Sequence, residues 1–237
     1  DLLADELTRR YGIPRPTAVH NVPPLVPLRP VAAGQNAGRG SATASSRDGD
    51  GSLRLLLHGS WVGLEQPGVD AALQAVARLP AARLTLRGGV RNPAALQARL
   101  TALGIADRVV LRPRLPGADA LVRAAIAEEH DVGLSVHRPD CLSRRLATSS
   151  KVFEYLMAGL VVVAAEQEGN RHILDARCAR FFRPGDAAEL AGVLAELAAD
   201  RQQLRDLQRG ARARAESEFC WEREKQRLLG LYATPPR

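Results

Sequence analysis

Between residues 53 and 166 the chain alternates strictly between short apolar runs and longer amphipathic ones. LRLLLHG (53–59), ARLTLRGG (82–89), VVLRPRL (109–115), DVGLSVHR (131–138) and LVVVAAE (160–166) read as strands. Between them GVDAALQAVARL (68–79), PAALQARLTALG (93–104), ADALVRAAIAEE (118–129) and SKVFEYLMAG (150–159) have helical spacing. The second of these has Pro in its first turn and Gly at its end, as helix termini prefer. Strands that are apolar at nearly every position are buried on both faces, and a helix between successive strands is the crossover that parallel pairing requires. The expected fold is therefore α/β, a doubly wound parallel sheet. Ligands of such sheets sit at the carboxyl ends of the strands, beside helix N-termini whose free amides suit phosphate. Function is accordingly sought in the turns after Leu57, Leu86, Val136 and Ala165.

Outside this block, DLLADELTRRY (1–11) reads as a helix ended by Pro14 and Pro16. Residues 33–52 are rich in Gly, Ser and Ala with almost no large apolar side chain, the composition of a linker or disordered loop. From Asp186 onward the pattern is helical, with a charged stretch from Arg201 to Tyr232.

The net charge of +7 is carried almost wholly by arginine, because Lys151 and Lys225 are the only lysines. A basic balance suits nucleic acid, an anionic membrane surface or a phosphorylated substrate. Aromatics make up only 4% of the chain, too few for the stacking platforms of a single-strand binder, so nucleic acid is set aside. Cys141, Cys178 and Cys220 are odd in number and match neither a disulfide framework nor zinc spacing, which points to a reducing cytoplasm. No apolar run is long enough to cross a bilayer. The chain begins at Asp1 without a leader pattern and reads as a fragment of a longer frame.

Four stretches carry chemistry. HGSWVG (58–63) follows the first strand, and its glycines let the backbone around Gly59 and Ser60 approach a ligand. It is neither G-x-G-x-x-G nor a Walker A loop, and a tight structural turn explains it equally well. Arg87 ends the second strand, placed either to grip a diphosphate with its forked guanidinium or to cap the sheet edge in solvent. HRPDCLSRRLATSSK (137–151) is a polar stretch in which Ser149 and Ser150 offer N-caps and Lys151 lies in the first turn of the next helix. A cation there opposes the helix dipole, a placement that makes sense where an anion binds. Glu154 lies one turn on, on the same face, as an anion-site partner or as half of a surface ion pair. His58, His137 and His172 are acid or base candidates, each also readable as a polar loop residue, and Glu166 and Glu168 stand either where sugar hydroxyls would reach them or simply solvated.

CLSRRLATSSKVFEYLMAGLVVVA, followed by EGNRHIL, resembles the donor-site segment of bacterial family-four glycosyltransferases with the GT-B fold, whose usual form is close to PNKLFEYLAAGLPVVAS. The resemblance runs from Leu53 to Tyr232 and ends in AESEFCWEREKQRLLGLY, similar to that family's C-terminal cross-over helix. It implies a division into a remnant of an N-terminal domain and its exit turn (1–32), a linker (33–52), a nucleotide-sugar-binding Rossmann-like domain (53–215), and the cross-over helix and tail (216–237). It also implies that Glu154 holds the ribose hydroxyls, that Lys151, Arg87 and Gly88 lie near the diphosphate and base, and that backbone amides from Glu168 through Gly169 to Asn170 face the donor sugar.

Two positions depart from the family pattern. The first of its two glutamates, which has seven residues between it and the second, falls on Leu146, and the phosphate-clamping base after the first Gly-rich turn is replaced by Glu65 and Pro67. The donor implied is a UDP- or GDP-sugar, with no cofactor and, for want of an Asp-x-Asp motif after a strand, no metal. The acceptor implied is a glycan, lipid or small molecule, with peripheral membrane association open and the acceptor-binding N-terminal domain missing from this chain. The competing class is a truncated or degenerate module that binds a nucleotide or partner without turnover.

Overall fold

The computed structural model of the protein describes residues 2–28 and 51–233. The linker expected over residues 33–52 lies almost entirely outside the described residues. Six strands form one sheet: β1 (Leu53–Trp61), β2 (Ala82–Gly89), β3 (Val109–Arg112), β4 (Val132–Ser135), β5 (Val161–Ala165) and β6 (Ala179–Phe182). All pairs are parallel, in the order β3-β2-β1-β4-β5-β6. The doubly wound expectation holds. Its topological switch point falls between β1 and β4, where successive crossovers leave in opposite directions and a crevice opens at the strand ends.

The period of two divides each strand between two apolar layers. Leu55, Leu57, Leu84, Leu86, Leu134 and Val163 face one side. There they meet α2 (Val69–Arg78), α3 (Pro93–Ala102) and α8 (Ala187–Ala199) through Leu73, Leu96 and Leu190. Leu56, Val162 and Ala164 face the other side. They meet α4 (Ala118–Ala127), α6 (Ser150–Met157) and α9 (Arg201–Ser217) through Val122, Phe153 and Ala211. Gly192 stands inside α8 with nothing within 4 Å of where a Cβ would lie. Gly192→Ala is therefore expected to stabilise the fold by about 1 kcal/mol, measured by urea denaturation, because the glycine's excess unfolded-state freedom is removed at no steric cost.

The first helix, α1 (Leu2–Tyr11), lies against the segments around Leu146 and Gly169, and the irregular residues 12–28 run on to the start of the last helix. Val22 and Val26 are buried in the second layer with Phe219 and Cys220. The last helix, α10 (Trp221–Ala233), is tied to them by hydrogen bonds from Trp221 N–H to Pro23 O (2.9 Å) and from His20 N–H to the Glu224 carboxylate (3.1 Å). Glu224 is buried for this reason.

Several boundaries differ from the sequence reading. HGSWVG was expected to be a turn, yet β1 continues to Trp61, with an extra residue between His58 and Trp61 that breaks its register with β2. Such a bulge bends the strand and re-aims its residues. β3 ends at Arg112 rather than Leu115, since Pro113 cannot donate to the ladder. The polar stretch 137–151 contains α5 (Leu142–Leu146), and α7 (Glu168–Ile173) and β6 were not expected. β6 is a four-residue edge strand, ARFF, whose leading residues carry too little apolar pattern to announce it.

Candidate functional site

A cavity of about 440 Å³ opens at the carboxyl ends of β1 and β2, between the segment that follows β3 and the start of α6. His58, Gly59 and Ser60 reach it from β1 and its bulge, Arg87 from β2, and Ser150, Lys151 and, one turn on, Glu154 from α6. Residues 114–118 and Leu121 form the opposite wall, and Asn21 closes one end. Of the expected site residues, Gly59, Ser60, Arg87, Ser150, Lys151 and Glu154 are thus brought together.

The others stand apart. Gly88 is absent from the lining; its φ of +156° and the 2.3 Å between its would-be Cβ and Gly59 O make it the place where β2 passes against the β1 bulge. Gly169 packs on Ala147 O, receives the Thr148 hydroxyl on its carbonyl (2.7 Å), and borders a second cavity of about 220 Å³ that shares Asn21 and Ser150 with the first. Leu146 borders that second cavity too. Asn170 is buried, with its amide donating to Ala165 O at 2.9 Å, which holds α7 to the end of β5. His172 also borders the second cavity, and Glu166 and Glu168 form ion pairs with Arg171 and Arg145.

α6 is brought to the crevice by Tyr155. Its ring lies flat on Gly133 of β4, its hydroxyl donates to Leu134 O and accepts from His58 N–H, both at 3.2 Å, and it is 1% exposed. Burial pushes the phenol's pKa upward, so it stays a neutral donor. The two central strands are thereby latched to the helix that carries Lys151 and Glu154. Ser149 holds the N-cap position, but its hydroxyl caps no amide, contrary to the sequence expectation. The start of α6, which lines the cavity, is left without a side-chain cap.

Lys151 is only 8% exposed. Its ammonium lies 3.3 Å from His137 Nδ1 and makes no carboxylate ion pair within 4 Å among the described residues, so it is not the surface pair that the spacing also allowed. Burial pushes its pKa down to about 8, with Glu154 opposing the shift. The same burial, reinforced by Lys151 and Arg144, takes His137 down to about 4, so His137 is neutral and accepts from the ammonium. Arg87 is buried beside Glu128 and donates to Pro113 O at 3.2 Å. It reaches the cavity already paired, which is neither the free fork nor the solvent cap considered from sequence. Glu154 Oε2 lies 2.9 Å from His58 Nε2. The site therefore combines three cations, Arg87, Arg114 and Lys151, with one carboxylate one helical turn from the lysine.

The wall of residues 114–118 was missed because the strand before it was read three residues too long. His58, an acid or base candidate from sequence, lies instead in β1 beside the Glu154 carboxylate. The rule that sites follow strand carboxyl ends, applied to the third strand as to the others, would have pointed to Arg114.

The sequence pattern of the family described as "Glycosyl transferase-like" matches residues 66–230. The chain belongs to this family. No curated protein matches the sequence. Among solved structures, this glycosyl transferase-like chain resembles Anabaena HepE in complex with UDP-glucose, at a TM-score of 0.63 and 20% identity over 78% of this chain and 50% of that one. It resembles a TarM variant of S. aureus in complex with UDP, α-GlcNAc-glycerol and fondaparinux, at a TM-score of 0.69 and 10% identity over 98% of this chain and 42% of that one. It also resembles the C-terminal domain of LpcC, a glycosyl transferase group 1 family protein of Francisella tularensis, at a TM-score of 0.59 and 10% identity over 72% of this chain and 88% of that one. The chain thus spans half or less of the first two structures. These likenesses establish the Rossmann-like fold of a GT-B domain. No helix among the described residues is long and apolar enough to cross a membrane.

Proposed function

We propose that this chain is the donor-binding half of a glycosyltransferase that moves a sugar from a nucleoside-diphosphate sugar to a hydroxyl acceptor. The observation that carries this reading is Lys151: a buried ammonium at an uncapped helix start, with a neutral histidine as its hydrogen-bond acceptor, in a cavity that also holds Arg87 and Arg114. The Lys151 ammonium has no carboxylate in contact among the described residues, and a diphosphate supplies that counter-ion. As the bond from the sugar's anomeric carbon to the β-phosphate oxygen breaks, negative charge grows on that oxygen. Lys151, Arg87 and the amides of Ser150 and Lys151 are preorganised to balance it. Glu154, one turn on, accepts hydrogen bonds from the ribose hydroxyls, while the bulged backbone at Gly59 and Ser60 admits the phosphates closely. Gly169 and Leu146, on the adjoining cavity, are assigned to the sugar side, where Leu146 offers no hydroxyl contact. Gly88 and Asn170 support the two walls rather than touch the donor.

UDP or GDP is the leaving nucleotide, the acceptor is a glycan, lipid or small molecule, and the half that binds it lies outside this chain. The reaction belongs to glycan assembly in the cytoplasm, where the basic charge of +7 favours transient contact with anionic surfaces. Calorimetric titration with UDP and with GDP tests the reading. One of the two is expected to bind at sub-millimolar concentration, and Glu154→Ala is expected to weaken it roughly 10- to 100-fold through lost charge-assisted hydrogen bonds. Failure of both nucleotides to bind at millimolar concentration ends the assignment.

A further inference from the structure

In the wall of the cavity, His58 and Glu154 form a contact that the donor-binding reading does not use. His58 Nε2 and Glu154 Oε2 are 2.9 Å apart. Both atoms are shut off from solvent and neither meets hydrogen-bond geometry toward any group, so the distance is that of a bond while the ring is turned off its line. The ring has little freedom. It stacks edge-on against Tyr155 at 5.0 Å between centroids, the backbone N–H of His58 is bonded to the Tyr155 hydroxyl, and the residue is 9% exposed. Tyr155 and Glu154 are neighbours on α6, so the helix that carries the carboxylate is held by the residue that packs the imidazole.

The chemistry selects one tautomer. A neutral imidazole carries one N–H. With the proton on Nε2, a small rotation gives a hydrogen bond to Oε2; with the proton on Nδ1, a lone pair faces a carboxylate in a site that excludes water, and both buried atoms remain unsatisfied.

We propose that His58 is a positioning residue for Glu154: its Nε2–H anchors Oε2, so that Oε1 is held toward the paired hydroxyls of the nucleotide's ribose. This rests on the donor-binding reading. The charged groups facing His58 are Glu154 and Lys151 from α6 and Arg87 from β2; burial together with the two cations lowers its pKa against the pull of Glu154, which favours the neutral ring the anchor uses.

Two measurements on the full chain test the anchor. Long-range nitrogen NMR of the wild-type imidazole is expected to show Nε2 protonated and Nδ1 bare; the opposite tautomer overturns the proposal, with no variant required. Calorimetric titration then compares UDP with 2′,3′-dideoxy-UDP. Wild type is expected to prefer UDP by about tenfold or more, the worth of a hydrogen bond to a charged group. His58→Leu is expected to cut that preference to roughly threefold or less while leaving dideoxy-UDP affinity within about a factor of two, because only the hydroxyl contact is lost. His58→Gln, which keeps an N–H at similar reach, is expected to restore most of the preference. A His58→Leu protein that keeps the full preference, or one that loses both nucleotides equally, overturns the positioning role. Should His58→Leu not fold, the wild-type tautomer and the His58→Gln preference decide. Wild-type protein that binds no UDP but shows the Nε2–H tautomer leaves the pair real and overturns its service to a uridine nucleotide, whereas UDP binding with the wrong tautomer overturns the anchor alone.

Discussion

Lys151→Met is expected to yield a protein that unfolds at a higher temperature than wild type and binds nucleotide worse. The lysine's pKa falls from 10.5 to about 8 in the fold, because its ammonium is buried without a carboxylate in contact. At neutral pH the charged form therefore costs the native state about 3 kcal/mol, at about 1.4 kcal/mol per unit. Methionine fills similar space without that cost, so up to about 3 kcal/mol is regained, the lost hydrogen bond to neutral His137 offsetting part of it. The sign of the pH dependence is equally definite. Between about pH 8 and 10.5 the unfolded chain holds the proton and the folded one has lost it, so wild-type stability rises through that window. In Lys151→Met the rise disappears. Nucleotide affinity runs the other way: full below about pH 8, declining above it as the ammonium is lost, and roughly 10- to 100-fold weaker in the variant at every lower pH. Thermal unfolding and titration calorimetry across pH 6 to 10.5 check both halves. A variant that is less stable than wild type and binds equally well would remove the reason for a buried cation at that helix start.

Gly133→Ala is expected to destabilise the fold strongly. Gly133 sits in β4 between Leu56 of β1 and Val162 of β5, at the centre of the sheet. A Cβ there would lie 2.2 Å from Tyr155 Cγ and 2.5 Å from both Cδ atoms. The ring cannot retreat cheaply, since it is fully buried and bonded through its hydroxyl to Leu134 O and His58 N–H. The loss expected is about 3 kcal/mol or more, at the upper end of overpacking costs. Because Tyr155 latches α6, nucleotide affinity falls with it. Urea denaturation measures the first effect; a loss under about 1 kcal/mol would show that α6 slides freely on the sheet. Combining Gly133→Ala with Tyr155→Leu is expected to recover part of the stability, a non-additivity that marks the contact as the cause.

The site was partly readable from the residues. Lys151 and Glu154 were legible because helical spacing fixes which residues share a face, and because a cation in a first turn conflicts with the dipole there. His58 was not, since its part depends on a strand continuing through Gly59 and Ser60, residues whose local preference is for a turn. Arg114 was hidden by the misjudged end of β3, and Arg87 could not be known to arrive paired, because Glu128 lies 41 positions away at the end of another helix. Gly169 and Asn170 were placed at a donor site by their position after a strand, whereas their contacts with Ala147 and Ala165 make them packing residues first.

The alternation of apolar runs and amphipathic helices determined by itself that the strands are parallel and doubly covered, since only that arrangement buries both faces of each strand and leaves room for the crossovers. Strand order and the cleft were decided by tertiary structure alone. Which strand lies beside β1, and therefore which helix start meets which strand end, depends on contacts such as Tyr155 on Gly133 that join residues far apart in the chain, and local pattern carries no information about those.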